Sequence, residues 1–185
     1  MRLTAPRVKP LQDNELNAEQ QEIMKPLARN GRVFNIFRSM IHHPALFKSW
    51  LTFANYVLSK RSSISARDRE IAILRIGWLC RAEYEWAQHV IIGKAAGITD
   101  AEIDRIAAGP DAPGWDAFDA AIARTADELH KDKIVSDATW AKLSERYNEA
   151  QRMDLVFAVG QYNLVSMALN TFGVQLDPGL KGFKK

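Results

Sequence analysis

The stretch that decides the fold is SARDREIAILRIGWLCRAEYEWAQHVIIGKAAG, residues 65 to 97. Ser65 and Asp68 form a capping pair ahead of the apolar-rich run REIAILRIGWLC. A break is expected around Arg81. EYEWAQHVIIGKAAG then runs to Gly97, and glycine just past a helical segment is a good stop because it accepts positive φ without a Cβ penalty. Two helices joined by so short a break predict a hairpin.

Working outward, the same start and stop signals recur. Thr99 with Glu102 reads as a capping box, with Ile98 and Ile103 spaced as a hydrophobic staple; this short helix stops at Gly109-Pro110. WDAFDAAIARTADELHKD and DATWAKLSERY follow as two amphipathic helices beyond the PDAPG loop. Asn148 with Gln151 starts a long last helix, apolar nearly all round and therefore expected to be buried, which Gly173 and Pro178 end. Upstream, Asn17 with Gln20 starts AEQQEIMKPLAR, ending at Gly31, and FNIFRSMIHH is a short helix. Pro44 opens PALFKSWLTFANYVLSK, whose Leu46, Phe47, Trp50, Leu51, Ala54 and Val57 recur at helical spacing. No strand-type alternation and no Asn-Gly hairpin interrupts this pattern. The expectation is an all-α domain of about eight helices spanning 1–185, with residues 1–15 (Pro6, Pro10) as an extended arm and 178–185 as a flexible basic tail.

The 185 residues suffice for one domain with a sizeable core, and 47% apolar with 25% charged residues is an ordinary globular balance. A net charge of +3 with scattered basic residues argues against a nucleic-acid partner, because the densest basic run, LKGFKK, is too short. Tyr84 and Trp86 lack an accompanying basic groove and read as packing residues. The N-terminus has no apolar core of a secretory signal, and no apolar run approaches the roughly 18 residues of a membrane span. One cysteine, Cys80, allows neither an internal disulfide nor a cysteine metal cluster, and a lone cysteine in apolar surroundings reads as a small hydrophobe. A cytoplasmic protein with a small-molecule substrate, no membrane and no nucleic acid is the expectation.

Four histidines are present. His43, before Pro44, is placed to cap a helix, and His130 sits at a helix end where a cation is favoured. His89 is different. Glu85 precedes it by four residues, on the same helical face. Across the hairpin, Glu70 lies eleven residues before Arg81 and His89 eight after it, so at a rise of about 1.5 Å per residue their heights differ by only about 4–5 Å. Glu70, Glu85 and His89 therefore converge between adjacent helices. A carboxylate orienting an imidazole makes a general acid or base near neutral pH, and a second carboxylate raised by burial and like charge makes a proton donor. Against this stands an ordinary surface salt pair, which stabilises a helix by only about 0.2–0.5 kcal/mol. Two carboxylates and one histidine fall short of the ligand sets of helical-bundle metal sites, which add a second Glu-x-x-His, so no metal is expected.

Arg67 to Ile106 resembles the core of the carboxymuconolactone decarboxylase family, which includes the alkylhydroperoxidase D-like proteins. FNIFRSMIHHPAL, DELHKDKIVSDATWAKL and GQYNLVSMALNTFGVQLDPG resemble the flanking parts of its longer members. The family's peroxidase branch carries Glu, then Cys-x-x-Cys, then His four residues on. In that frame the Glu falls on Glu70, the His on His89 and the cysteines on Ala82 and Glu85, with Cys80 two residues outside. The resemblance thus implies the proton-transfer frame without a dithiol, which peroxide reduction by thiol–disulfide exchange requires.

The resemblance further implies an alkylhydroperoxidase D-like helical fold, a homo-oligomer (trimer or hexamer, with a dimer also open) and a site near a subunit interface. It implies a cofactor-independent lyase or isomerase acting on a small organic acid or lactone of aromatic catabolism, with His89 as the main acid/base and Glu85 and Glu70 its partners. Arg75 is one candidate for the cationic anchor; it sits about 140° around the helix from Glu70, which leaves a neighbouring element as the other source. Tyr84, Tyr162 and Asn170 complete the substrate-binding candidates. Two other readings stay open: an alkylhydroperoxidase-like antioxidant using Cys80, and a non-catalytic oligomeric binding protein with the Glu85–His89 pair buried and no cavity beside it.

Overall fold

In the computed structural model, which describes residues 3–28 and 32–183, the chain is helical throughout and contains no β-strand among the described residues. Nine α-helices occur there, one more than the eight expected: α1 (Ala18–Met24), α2 (Asn35–Met40), α3 (Pro44–Leu58), α4 (Ala66–Leu79), α5 (Glu83–Ala95), α6 (Asp100–Ala108), α7 (Ala117–Lys131), α8 (Asp137–Ser144) and α9 (Glu149–Phe172). Two single 3-10 turns, Asp13–Glu15 and Lys25–Leu27, flank α1. None of the described helices is long and apolar enough to cross a membrane.

Most starts are where the capping residues put them. Asn17, Thr99 and Asn148 each form a full capping box, and Ser65 accepts from the backbone N–H of Asp68. His43 caps α3, its Nδ1 accepting from the Leu46 N–H at 3.3 Å. The expected stop at Gly31 lies outside the described residues.

α4 is the axis of the molecule. Arg69 through Gly77 are all buried, and α5, α6, α7 and α9 pack around it. Its Ile71, Ile73, Leu74 and Ile76 form one continuous core with Ile103 and Ile106 of α6, Ile122 of α7 and Leu155 and Val159 of α9. α5 returns antiparallel to α4 through Arg81, whose φ of 51° is the left-handed turn that reverses the chain. Two glycines let these helices touch closely. A Cβ on Gly77 would come 3.2 Å from Glu85 Cγ, and one on Gly93 would come 3.7 Å from Glu70 Cβ.

The ends of the chain are tied to this core. The arm is non-helical from Leu3 to Gln12, and the N–H groups of Arg7 and Val8 donate to the last carbonyl of α9, Phe172, at 2.8 and 3.1 Å. The segment after α9 returns across α2: Asp177 accepts from the Asn35 N–H at 3.0 Å, and Asn35 Nδ2 donates to the Gln175 carbonyl at 3.1 Å. The tail expected to be flexible is docked as far as Phe183, whose ring stands edge-on to Trp78 at 4.9 Å and lies 5.7 Å from Trp86. An aromatic side chain gains more by joining that cluster than a bare basic tail would.

Candidate active site

The hairpin brings together what its arithmetic predicts. His89 Nδ1 lies 2.6 Å from Glu70 Oε2, with Glu70 fully buried and His89 nearly so. A carboxylate at that distance accepts the Nδ1–H hydrogen bond, which leaves Nε2 as the ring nitrogen for proton exchange. The partner of the imidazole is thus Glu70 on α4, across the helix pair. Glu85, the residue four before His89, is turned against Gly77 of α4 instead.

Glu85 is also buried, and its Oε1 has no hydrogen-bonding partner. Burial, reinforced by the charge of Glu70, pushes its carboxyl well above the ordinary carboxylate range. Its protonated form is thereby favoured, beside an imidazole that Glu70 holds. Arg69 lies behind them, its Nε 3.8 Å from Glu70 Oε1, and supplies the buried counter-charge. Tyr162 of α9 stands edge-on to the His89 ring, centroids 4.7 Å apart. Burial and then the charges of Glu85 and Glu70 raise its hydroxyl far above the usual tyrosine value, so it too stays protonated.

A cavity of about 150 Å³ opens against these groups, and Glu85, His89 and Tyr162 line it. Its walls are apolar: Phe34 and Phe37 of the α2 segment, Trp50 and Leu51 of α3, Val165 and Leu169 of α9. Leu58 and Ile92, both about two-fifths exposed, mark its outer edge. Gln88 and Gln161 add polar groups, and Gln161 Nε2 is buried without a partner. Tyr84 lines the cavity as expected. Its hydroxyl donates to Asp177 and accepts from Gln88 Nε2 at 3.3 Å, so it fixes the wall rather than offering a free donor.

Two substrate-binding candidates lie elsewhere. Arg75 donates through Nε and Nη2 to both oxygens of Asp127, at 2.5 and 2.9 Å, and through Nη1 to the carbonyls of Ile106 and Ala107 at 2.9 Å. Its planar fork joins α7 to the carbonyl end of α6, so the expected anchor is a structural clamp. Asn170 donates to the Cys80 carbonyl at 2.9 Å, capping the end of α4, and lines a separate crevice. Cys80 does not line the cavity; its thiol faces Asn163 Oδ1 at 3.2 Å and His130 Nδ1 at 3.8 Å. Among the described residues no cluster of three His, Cys, Asp or Glu is arranged to hold a metal ion.

Sequence reasoning did not select Arg69, Trp50 or Gln161 for the site. Arg69 had a signal, since a charge beside Glu70 on a helix buried all round needs a charged partner. Gln161 and Trp50 carried none, because their facing depends on how α9 and α3 cross α5.

Comparison with known proteins agrees with this architecture. Residues 44–127 match the sequence model of the carboxymuconolactone decarboxylase family. A structure described as the alkylhydroperoxidase AhpD core, an uncharacterised peroxidase-related protein from Ralstonia eutropha JMP134, superposes with a TM-score of 0.81 at 16% identity, over 94% of this chain and 93% of that one. An uncharacterised peroxidase-related protein from Silicibacter sp. TM1040 does so at 0.76 and 15% identity, over 96% and 92%. The debrominase Bmp8, as a cysteine-to-alanine variant in complex with 2,3,4-tribromopyrrole, superposes at 0.71 and 13% identity, over 95% and 94%. None of the curated proteins compared matches. Residues 44–127 thus carry the sequence pattern of that family, and the chain's fold is the all-α fold of those structures.

Proposed function

We propose that this protein is a cofactor-independent acid–base enzyme, a lyase or isomerase of a small organic acid or lactone, acting through His89, Glu70 and Glu85. The observation that carries the reading is the cavity against His89, with Glu70 behind Nδ1 and the buried carboxyl of Glu85 in the same lining. In the proposed cycle, Nε2 of His89 takes a proton from a carbon or hydroxyl of the bound molecule. Glu70 stabilises the imidazolium that results, and Glu85 delivers its own proton at a second position. Proton return from His89 to Glu85, directly or through the bound product, restores the starting state.

Two alternatives fare less well. A binding protein with the pair buried for structure alone would have no cavity at His89. Peroxide reduction through a dithiol needs a second thiol, and Cys80 faces Asn163 and His130 away from this cavity.

The test is turnover of small lactones and enol acids in D2O, followed by proton NMR. Wild type should incorporate deuterium or convert substrate, and His89→Ala should be slower by about 10²–10⁴-fold, the span of general acid–base catalysis. Conversion at an undiminished rate by a folded His89→Ala protein would exclude the assignment.

A further inference from the structure

We infer that the cavity takes its ligand uncharged: a single small ring whose oxygen substituent is held by Gln161 and Glu85. This deepens the acid–base reading and rests on it for the identity of the site. Size sets the first limit. About 150 Å³ is the volume of an engineered apolar cavity that admits benzene, so a single ring fits.

Charge sets the second. No lysine or arginine is among the described residues lining the cavity. The buried cation nearby, Arg69, already faces Glu70, and Arg75 is committed to Asp127. An anionic ligand would shed its water beside apolar walls and the Glu85 carboxyl with no lysine or arginine in that lining to pair it, and His89 is already engaged by Glu70.

Polarity sets the third. Gln161 Nε2, a donor, and Glu85 Oε1 are both buried without partners, and both residues line the cavity. A buried polar atom lacking a partner is costly. One ligand oxygen at that end can accept from Gln161 and bond the Glu85 carboxyl, leaving the rest of the ring for Phe34, Phe37 and Trp50. The neutral lactone form, rather than the free acid, is therefore the substrate class.

Calorimetric titration with phenol, toluene and benzoate at pH 7 tests this. Phenol should bind at least tenfold tighter than benzoate and severalfold tighter than toluene. Gln161→Leu should abolish the preference for phenol over toluene. Ala54→Phe, which fills the cavity from α3, should remove binding of all three. Benzoate binding as tightly as phenol, or no binding by phenol, would overturn the inference, as would an unchanged phenol preference in both Gln161→Leu and a Gln161→Met variant. The titrations are repeated on His89→Ala. They read binding alone, so failure of the neutral-ligand inference is distinguishable from failure of His89 in turnover.

Discussion

A carboxyl that stays protonated leaves a mark on stability as well as on chemistry. Glu85 has a folded pKa raised above its ordinary value of 4.5 by burial and by Glu70. Between those two values the folded chain binds a proton that the unfolded chain has released. Stability from this group is therefore fully present below about pH 4.5 and is lost as pH rises toward the folded pKa. Glu85→Gln has no such proton to lose. The melting-temperature gap between variant and wild type should open in the variant's favour as pH climbs from 4.5; a gap independent of pH would mean that Glu85 titrates normally. The same substitution removes the proposed donor, so any activity should fall while stability at neutral pH rises. Opposed signs of that kind mark a residue held in place for function.

The α4–α5 pair shows which parts of the site the sequence made legible. Capping pairs are local, so Ser65, Thr99 and Asn148 announced their helices. The Glu70–His89 contact followed from rise per residue, because Arg81 allows only a tight reversal. The i,i+4 rule placed Glu85 near His89 but could not say that its side chain turns onto Gly77. Nor could it find Asp127, the clamp on Arg75, which depends on how α7 crosses α4. Glycines inside helices usually cost stability, and Gly160 and Gly77 differ in what surrounds them. At Gly160, mid-α9, a Cβ meets nothing within 4 Å. On a monomeric Phe157→Asp, Leu164→Asp background, Gly160→Ala should therefore stabilise by about 0.8–1 kcal/mol, the helix-propensity difference. At Gly77 the added atoms of Val press on Glu85, and overpacking costs about 1–3 kcal/mol. Gly77→Val should be a net loss in urea denaturation and should weaken ligand binding; equal behaviour of the two sites would show that α4 and α5 are not pressed together there.

At the scale of the whole molecule, α9 has one face in the core and another uncovered. Met153, Phe157, Leu164 and Met167 are each at least half exposed and fall on one stripe about 21 Å long. A contiguous exposed apolar stripe of this kind can mark an interaction surface. We propose that a second copy of the chain covers it, as a homo-oligomer requires. Sedimentation velocity should find wild type larger than one chain and a Phe157→Asp, Leu164→Asp variant at one chain. A monomeric wild type at tens of micromolar would reject the proposal.

The walls of the cavity come from far apart in the chain. Phe34 and Trp50 face Val165, and the α2 wall is pinned by the bond from the Asn35 N–H to Asp177. No local fragment contains such a cavity, so an unfolded chain has nothing for the ligand to hold. Binding is then coupled in full to global folding, and a ligand at a hundred times its dissociation constant adds about 2.7 kcal/mol to the unfolding free energy. The melting curve itself becomes a screen: the compounds that raise it identify what this cavity recognises before any reaction has been found.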